Sequence, residues 1–319
     1  MNQLDYIKKF TNVVIDSGNI KYIKKYSPKD VTTNPSLILR ESKSKHYYPL
    51  LMDAISYAKK KGGNLNSYII NANDKLLVNI GREILKIIDG RISIEIDVRL
   101  SFSYLDLIIR AKKIISLYNS YGIENNRILI KIAATWEGIQ AAKFLEKSGI
   151  NCNLTLIFSL VQAIACAESN VYLISPFVGR VNDWYIKNFK LNKNSKIDPG
   201  VKLVYKIFYF YQKYGYKTFV MGASFRNIDQ IISIIGCDAI TISPDFVNKL
   251  NNLKLKKIKN FIRVNLESKI KKNKLLEKEF RWKFNQNFMA VEKLSEGIRL
   301  FLRDQKKIDS FFLKKFKSG

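Results

Sequence analysis

Eight short runs rich in Ile, Val, Leu and Thr recur along the chain, and segments of helical spacing lie between most of them. The runs fall at 11–16, 30–34, 91–98, 127–134, 150–156, 171–177, 218–224 and 239–243. Each has a strand's length. The intervening helices are expected over 49–88, broken at Gly62-Gly63-Asn64, and over 103–121, 136–148, 159–169, 201–214 and 227–235. In 103–121, for instance, Leu107, Ala111, Ile114, Ile115 and Tyr118 share one helical face. Strands that alternate with helices pair in parallel, because parallel neighbours need a crossover. Eight such units close into a barrel. The expected fold is therefore α/β: a single (β/α)8 TIM-type barrel domain over 1–319. An extra C-terminal helix and basic tail follow from about 287, where Val291, Leu294, Ile298 and Phe301 keep helical spacing. The alternative is an open doubly wound sheet, but the chain has neither GxGxxG nor GxxxxGK(S/T) to bind a nucleotide there. The lysine-rich stretch 251–275 is read as a connection.

One strand carries a lysine in an apolar setting: Arg127-Ile128-Leu129-Ile130-Lys131-Ile132-Ala133-Ala134. Side chains alternate faces along a strand. Ile128, Ile130 and Ile132 share one face; Leu129, Lys131 and Ala133 share the other. An ammonium among such neighbours is disfavoured, and a neutral lysine is a nucleophile suited to imine formation with a carbonyl. A strand lysine taken alone more often snorkels to water, so the other strands decide. In the third, Ile92, Ile94 and Ile96 share a face, leaving Ser93 and Glu95 opposite. In the fifth, Cys152, Leu154 and Leu156 share a face, leaving Asn151, Asn153 and Thr155 opposite. The second pairs Thr32 with Asn34, the sixth offers Ser175 and Phe177, and the first ends at Asp16. With apolar faces toward the helices, these polar faces point into the barrel. A single buried polar group is costly unless paired; five strands of them beside a lysine read as a site.

Roles follow from residue type. Lys131 is the candidate nucleophile, Glu95 and Thr155 on flanking strands suit proton shuttling, and Asp16 can take a hydroxyl proton. Asn34, Asn153 and Ser175 suit a polyhydroxylated substrate. Arg180 follows the sixth strand; Ser224 and Arg226 follow the seventh, just before a helix start at Asn227. Late-strand loops are where such barrels bind phosphate. A solvated loop charge is the plain alternative for each arginine.

Composition narrows the classes. The formal net charge is +28. The excess is mostly lysine, is spread along the chain and accompanies abundant Ile, Asn and Tyr, a mixture that fits drift toward AT-rich codons better than a nucleic-acid surface. Cys152, Cys166 and Cys237 show no CxxC spacing, so reduced thiols and a cytoplasmic location are expected. The single histidine, His46, lies in a polar stretch, speaks against a Ser-His-Asp triad and excludes HExxH zinc chemistry. No signal peptide is expected. The longest apolar stretch, 154–167, is interrupted by Thr155, Ser159 and Gln162 and is shorter than the ~20 residues of a membrane span.

Five segments carry a resemblance. They are Asp30-Val31-Thr32-Thr33-Asn34-Pro35-Ser36-Leu37-Ile38, Ile130-Lys131-Ile132-Ala133-Ala134-Thr135-Trp136-Glu137-Gly138-Ile139, Asn151-Cys152-Asn153-Leu154-Thr155, Ile174-Ser175-Pro176-Phe177-Val178-Gly179-Arg180 and Met221-Gly222-Ala223-Ser224-Phe225-Arg226-Asn227. The chain resembles transaldolases from about residue 10 to 305. The resemblance implies a class I aldolase-type barrel without metal or cofactor, usually a homodimer. It implies transfer of a dihydroxyacetone unit from sedoheptulose 7-phosphate to glyceraldehyde 3-phosphate, a step of the pentose phosphate pathway. By that similarity Lys131 forms a Schiff base, Asp16 handles the hydroxyl proton, and Glu95 and Thr155 position a proton-shuttling water. Asn34, Asn153 and Ser175 would bind the sugar beside Phe177, and Arg180, Ser224 and Arg226 the phosphate. Two departures are Ala134, where Ser is frequent, and Phe284-Asn285-Gln286-Asn287-Phe288-Met289, where His-Asn-Gln-Asp-Pro-Met is usual. A fructose 6-phosphate aldolase of the same superfamily is the near alternative; it is shorter, with Gln in place of Glu95 and Tyr in place of Phe177. A basic nucleic-acid-binding protein on a disabled barrel would have lost site positions, and none is lost.

Overall fold

The eight apolar runs become β1 (Asn12–Asp16), β2 (Val31–Thr32), β3 (Ile92–Glu95), β4 (Ile128–Ala133), β5 (Cys152–Ile157), β6 (Leu173–Pro176), β7 (Phe219–Gly222) and β8 (Ala239–Ile242). All neighbours pair in parallel, in chain order, and β8 closes on β1. This is the expected (β/α)8 barrel. The computed structural model describes residues 1–42, 44–189, 198–255 and 275–317. Most of the lysine-rich stretch 251–275 lies outside them.

The outward Ile and Leu side chains of the strands, among them Ile94, Ile130, Ile132, Leu154 and Ile174, join the inner faces of the helices in one continuous core. Burial of each contributes about 1.5–3 kcal/mol. Ala134 is fully buried in this outer layer, consistent with its outward parity. Inside the barrel, Val14, Leu129, Leu173, Met221 and Ala239 form a second, smaller apolar cluster. It plugs the N-terminal half of the barrel, so the polar side chains farther along the same strands face the C-terminal mouth.

Register sets who meets whom. Glu95 on β3 pairs with Lys131 on β4, and Lys131 with Asn153 on β5. On the other side of the barrel, Asp16 on β1 pairs with Thr32 on β2.

Strict alternation fails at one place. The β5–β6 register shifts between Leu154 and Ile157, and Leu156 adopts φ +57°, a left-handed conformation uncommon for leucine. Leu156 therefore does not share the outer face with Cys152 and Leu154 as the period of two predicts. It turns to the barrel mouth and joins Phe158, Phe177, Leu294 and Phe301 in a third apolar cluster. This cluster seats the terminal helix Phe288–Lys317 across the mouth. Close approach needs Gly297: a Cβ there would lie 2.7 Å from Leu156 Cδ2. The helix runs further than expected, because residues anticipated as a basic tail continue its turns, with Ile308 and Phe312 buried. At the departure over 284–289, Phe284 stacks on Phe280 at 5.7 Å, while Phe288 starts the helix 75% exposed.

Several short helices were not expected, among them Pro35–Glu41, Val178–Phe189 and Pro244–Asn252. The second of these matters for function. Arg180 sits in the first turn of a helix rather than on a loop.

Candidate active site

A cavity of about 290 Å³ opens at the C-terminal mouth of the barrel. Nine of the eleven residues singled out from the sequence line it: Asp16, Asn34, Lys131, Thr155, Ser175, Phe177, Arg180, Ser224 and Arg226. The other two, Glu95 and Asn153, lie just beneath its lining, in register with Lys131. Thr32, Ser36, Thr241, Phe246 and Phe301 also line it without having been assigned a site role.

Lys131 is 6% exposed. Its Nζ stands 3.2 Å from Glu95 Oε2 and donates to the Thr33 carbonyl at 3.2 Å. The Glu95 contact with Lys131 is an ion pair, and neither carboxylate oxygen has any further hydrogen-bond partner among the described residues. Thr155 Oγ1 is likewise buried without a hydrogen-bond partner among the described residues. Burial raises the Glu95 carboxyl above its usual range; the Lys131 charge opposes that shift without cancelling it. Asp16 is raised in the same direction by burial, against Lys131, the Thr32 hydrogen bond, Arg40 and Arg180. Two carboxyls with elevated proton affinity thus share the cavity region with one amine, Glu95 beside it and Asp16 across the barrel, a set suited to carrying protons around a lysine.

Asn34 is not a strand residue here. It is the N-cap of Pro35–Glu41: its Oδ1 accepts from Leu37 N at 3.0 Å, and Pro35 occupies the first helical position. The residue also lines the cavity. Asn153 is engaged on both ends of its amide, donating to Ser93 Oγ at 3.1 Å and accepting from Ser175 Oγ at 2.7 Å. It fixes Ser175, which does reach the cavity.

The ends of β6 and β7 are stitched together. Val178 N donates to Ala223 O at 2.9 Å, Gly179 N to Ser224 O at 2.7 Å, and Ala223 N to Pro176 O at 2.9 Å. Ser224 is held at φ +60°, strain of a kind that clusters at ligand sites. The two arginines differ. Arg180 is half-buried, its guanidinium 5.1 Å from the Phe177 ring and 5.8 Å from the Phe301 ring, with Nη1 buried and lacking a hydrogen-bond partner among the described residues. Arg226 is exposed and held by the Asp183 carboxylate at 2.8–2.9 Å. A buried donor without a partner favours an anion in its place.

The terminal helix completes the wall. Phe301 packs near Arg180, and Asp304 accepts from Ser36 Oγ at 2.5 Å. Helical spacing announced Phe301 as a packed residue, but a period cannot say which cavity it closes. Among the described residues no group of three or more His, Cys, Asp and Glu side chains is arranged as a metal site. Also among them, no helix is long and apolar enough to cross a membrane.

A family model described as transaldolase/fructose-6-phosphate aldolase matches residues 13–311. A protein named transaldolase from Buchnera aphidicola subsp. Cinara cedri is 53% identical over 322 residues, covering 99% of this chain and 100% of that protein. One of the same name from Baumannia cicadellinicola is 52% identical over 317 residues, covering 99% and 100%. A third, from Haemophilus ducreyi, is 53% identical over 314 residues, covering 97% and 98%. With a buried barrel lysine ion-paired to Glu95 at its centre, a family match over residues 13–311 and near-complete alignment to these relatives, the chain belongs to the transaldolase/fructose-6-phosphate aldolase family.

Proposed function

We propose that the chain is a transaldolase that carries a dihydroxyacetone unit on Lys131, from sedoheptulose 7-phosphate to glyceraldehyde 3-phosphate, in the pentose phosphate pathway. The observation that carries the reading is the buried Lys131 Nζ, 3.2 Å from Glu95 and open to a cavity that also holds Asp16 and Arg180. The amine adds to the substrate ketone, and loss of water gives an iminium. Glu95, ion-paired with the amine, and Thr155, which lines the same cavity with a buried hydroxyl lacking a hydrogen-bond partner among the described residues, support proton movement in that dehydration. Asp16 then takes the proton of the hydroxyl borne by the far carbon of the breaking bond, whose oxygen becomes the carbonyl of the released aldehyde. The C–C electron pair moves into the iminium, leaving an enamine on Lys131 and a free aldehyde. A second aldehyde is attacked by the enamine, Asp16 returns the proton to the new alkoxide, and water hydrolyses the resulting iminium to free the product ketose and the Lys131 amine. Ser175 and the Asn34 amide serve the sugar hydroxyls, with Asn153 acting through Ser175. Arg180, Ser224 and Arg226 serve the phosphate.

Phe177 supports transfer over simple cleavage, since it lacks the hydroxyl by which a Tyr there would donate an extra proton and release the three-carbon unit; Glu95, where the cleaving relatives have Gln, fits the same reading. Incubation with fructose 6-phosphate alone is expected to give no accumulating dihydroxyacetone. Adding erythrose 4-phosphate is expected to yield sedoheptulose 7-phosphate. Steady release of dihydroxyacetone without an acceptor would instead assign a lyase.

The phosphate end gives a second expected result. A Cβ on Gly179 would lie 2.4 Å from Ser224 O and 2.7 Å from Arg226 Cγ, so Gly179→Ala must push the β6 and β7 ends apart. KM for the phosphorylated sugar is expected to rise about tenfold, with about 1–3 kcal/mol lost in stability. Imine trapping at saturating sugar is expected to persist, and an unchanged KM would remove Ser224 and Arg226 from the phosphate site.

Three buried, unpaired cysteines and phosphorylated substrates support a cytoplasmic setting. A homodimer belongs to the same reading. The exposed apolar side chains Phe102, Leu105 and Ile109 give it a surface, and light scattering of the purified chain tests it.

A further inference from the structure

In the closed barrel β1 lies between β2 and β8, and Asp16 stands at its C-terminal end. Thr32 on β2 is its register partner; Thr241 on β8 pairs with Val14, two residues below. Both threonines are buried and line the cavity. Thr32 Oγ1 lies 2.8 Å from Asp16 Oδ1 and 2.6 Å from Thr241 Oγ1. A hydroxyl has one proton. An ionised carboxylate can only accept, so the Thr32 proton is committed to Asp16. The proton on the line between the two threonines is then Thr241's. The hydrogen bonds run in one direction: Thr241 to Thr32 to Asp16.

We infer that Thr241 is a positioning residue for the transfer reaction, holding the Asp16 carboxylate through Thr32 in the orientation and form that accept the substrate hydroxyl proton. Linked hydrogen bonds polarise one another, so the outer donor strengthens the inner one. Oδ1 is pinned and Oδ2 is left for the substrate. Without the Thr241 hydroxyl, the Thr32 oxygen loses its own donor and becomes a poorer donor to the carboxylate. Burial already favours the protonated form of Asp16; the chain of hydroxyls works against it and keeps a base available. The other charged groups facing Asp16 are Lys131, Arg40, Arg180 and Glu95. A substitution at Thr241 leaves all four in place.

The test is the titration of the Asp16 carboxyl carbon by 13C NMR, assigned through its absence in Asp16→Asn. In Thr241→Val the midpoint is expected to move up by about half a unit to one unit, and in Thr241→Ser to return to the parent value. The kinetic arm rests on the proposed transaldolase reading. There Thr241→Val is expected to lower kcat about three- to tenfold with KM within about twofold, and to move the acid limb of kcat to higher pH. Borohydride trapping at Lys131 is expected to match the parent. Thr241→Ala gives the same readouts if the valine methyl disturbs packing. An unmoved midpoint in the valine and alanine variants, or a serine variant as impaired as they are, overturns the inference. The titration needs no turnover, so a parent chain without transfer activity would count against the proposed function and still leave the hydroxyl chain to be read.

Discussion

Lys131→Met is expected to lose transfer by about 10⁴-fold or more, because no other group in the cavity can hold the three-carbon unit covalently. The change also strands Glu95. In the parent chain its carboxyl is already raised by burial, and the Lys131 charge is the first influence opposing that shift. Without the lysine, Glu95 takes up a proton instead of remaining a buried, unpaired charge, which would cost about 3–5 kcal/mol. The sign of the pH dependence follows. A carboxyl whose folded value lies above its unfolded value contributes stability that is fully present below the unfolded value, about 4.3, and lost as pH rises through the folded one. Melting temperature of Lys131→Met is therefore expected to fall, relative to the parent, as pH rises above that range. A difference independent of pH would mean that Glu95 is not the group left uncompensated.

Asp16→Asn separates binding from bond cleavage. The amide keeps the size of the carboxyl and can still meet Thr32, but it cannot accept the substrate hydroxyl proton. Turnover is expected to fall about 10²- to 10⁴-fold, while the Schiff base with a sugar phosphate still forms and can be trapped. Loss of trapping in step with turnover would place Asp16 in imine formation instead. Stability moves the other way. Burial raises the Asp16 carboxyl, so its ionisation at neutral pH weakens the folded state. Asp16→Asn is expected to melt higher than the parent at pH 7, with the gap closing below about pH 3, where the parent carboxyl is neutral in both states. A site that sacrifices stability for chemistry behaves in this way.

The chemistry at the centre of the barrel was legible because β3 and β4 are regular strands. A period of two assigns Glu95 and Lys131 to the inner face, and parallel pairing in chain order brings them side by side. The same rule misplaces Leu156, where one left-handed residue and a register shift end the alternation. Nothing in Leu154-Thr155-Leu156-Ile157 marks a bulge, since leucine has no preference for that conformation. Asn34 was placed in the cavity by parity, and the structure puts it there as a helix cap with its oxygen already taken. Val178–Phe189 is hard to read as a helix because Gly179, Asn182 and Asp183 are poor helix formers, although Val178, Val181, Trp184, Tyr185 and Phe189 keep a helical period. Packing against the β7 end holds it there. Phe301 could be read as a packed residue, but its place in the wall depends on contacts more than a hundred residues away in sequence. Thr241 carries no signal of its own in the sequence, because a hydroxyl's partners are set by register between β8, β1 and β2 and not by its neighbours along the chain.

Reduction with borohydride in the presence of fructose 6-phosphate, followed by peptide mass mapping, tests the central claim most directly. The account predicts a single stable adduct carrying the mass of the reduced three-carbon unit or of the reduced sugar phosphate, on the peptide that contains Lys131 and absent from Lys131→Met. An unmodified Lys131 peptide, or an adduct on another lysine, would contradict it.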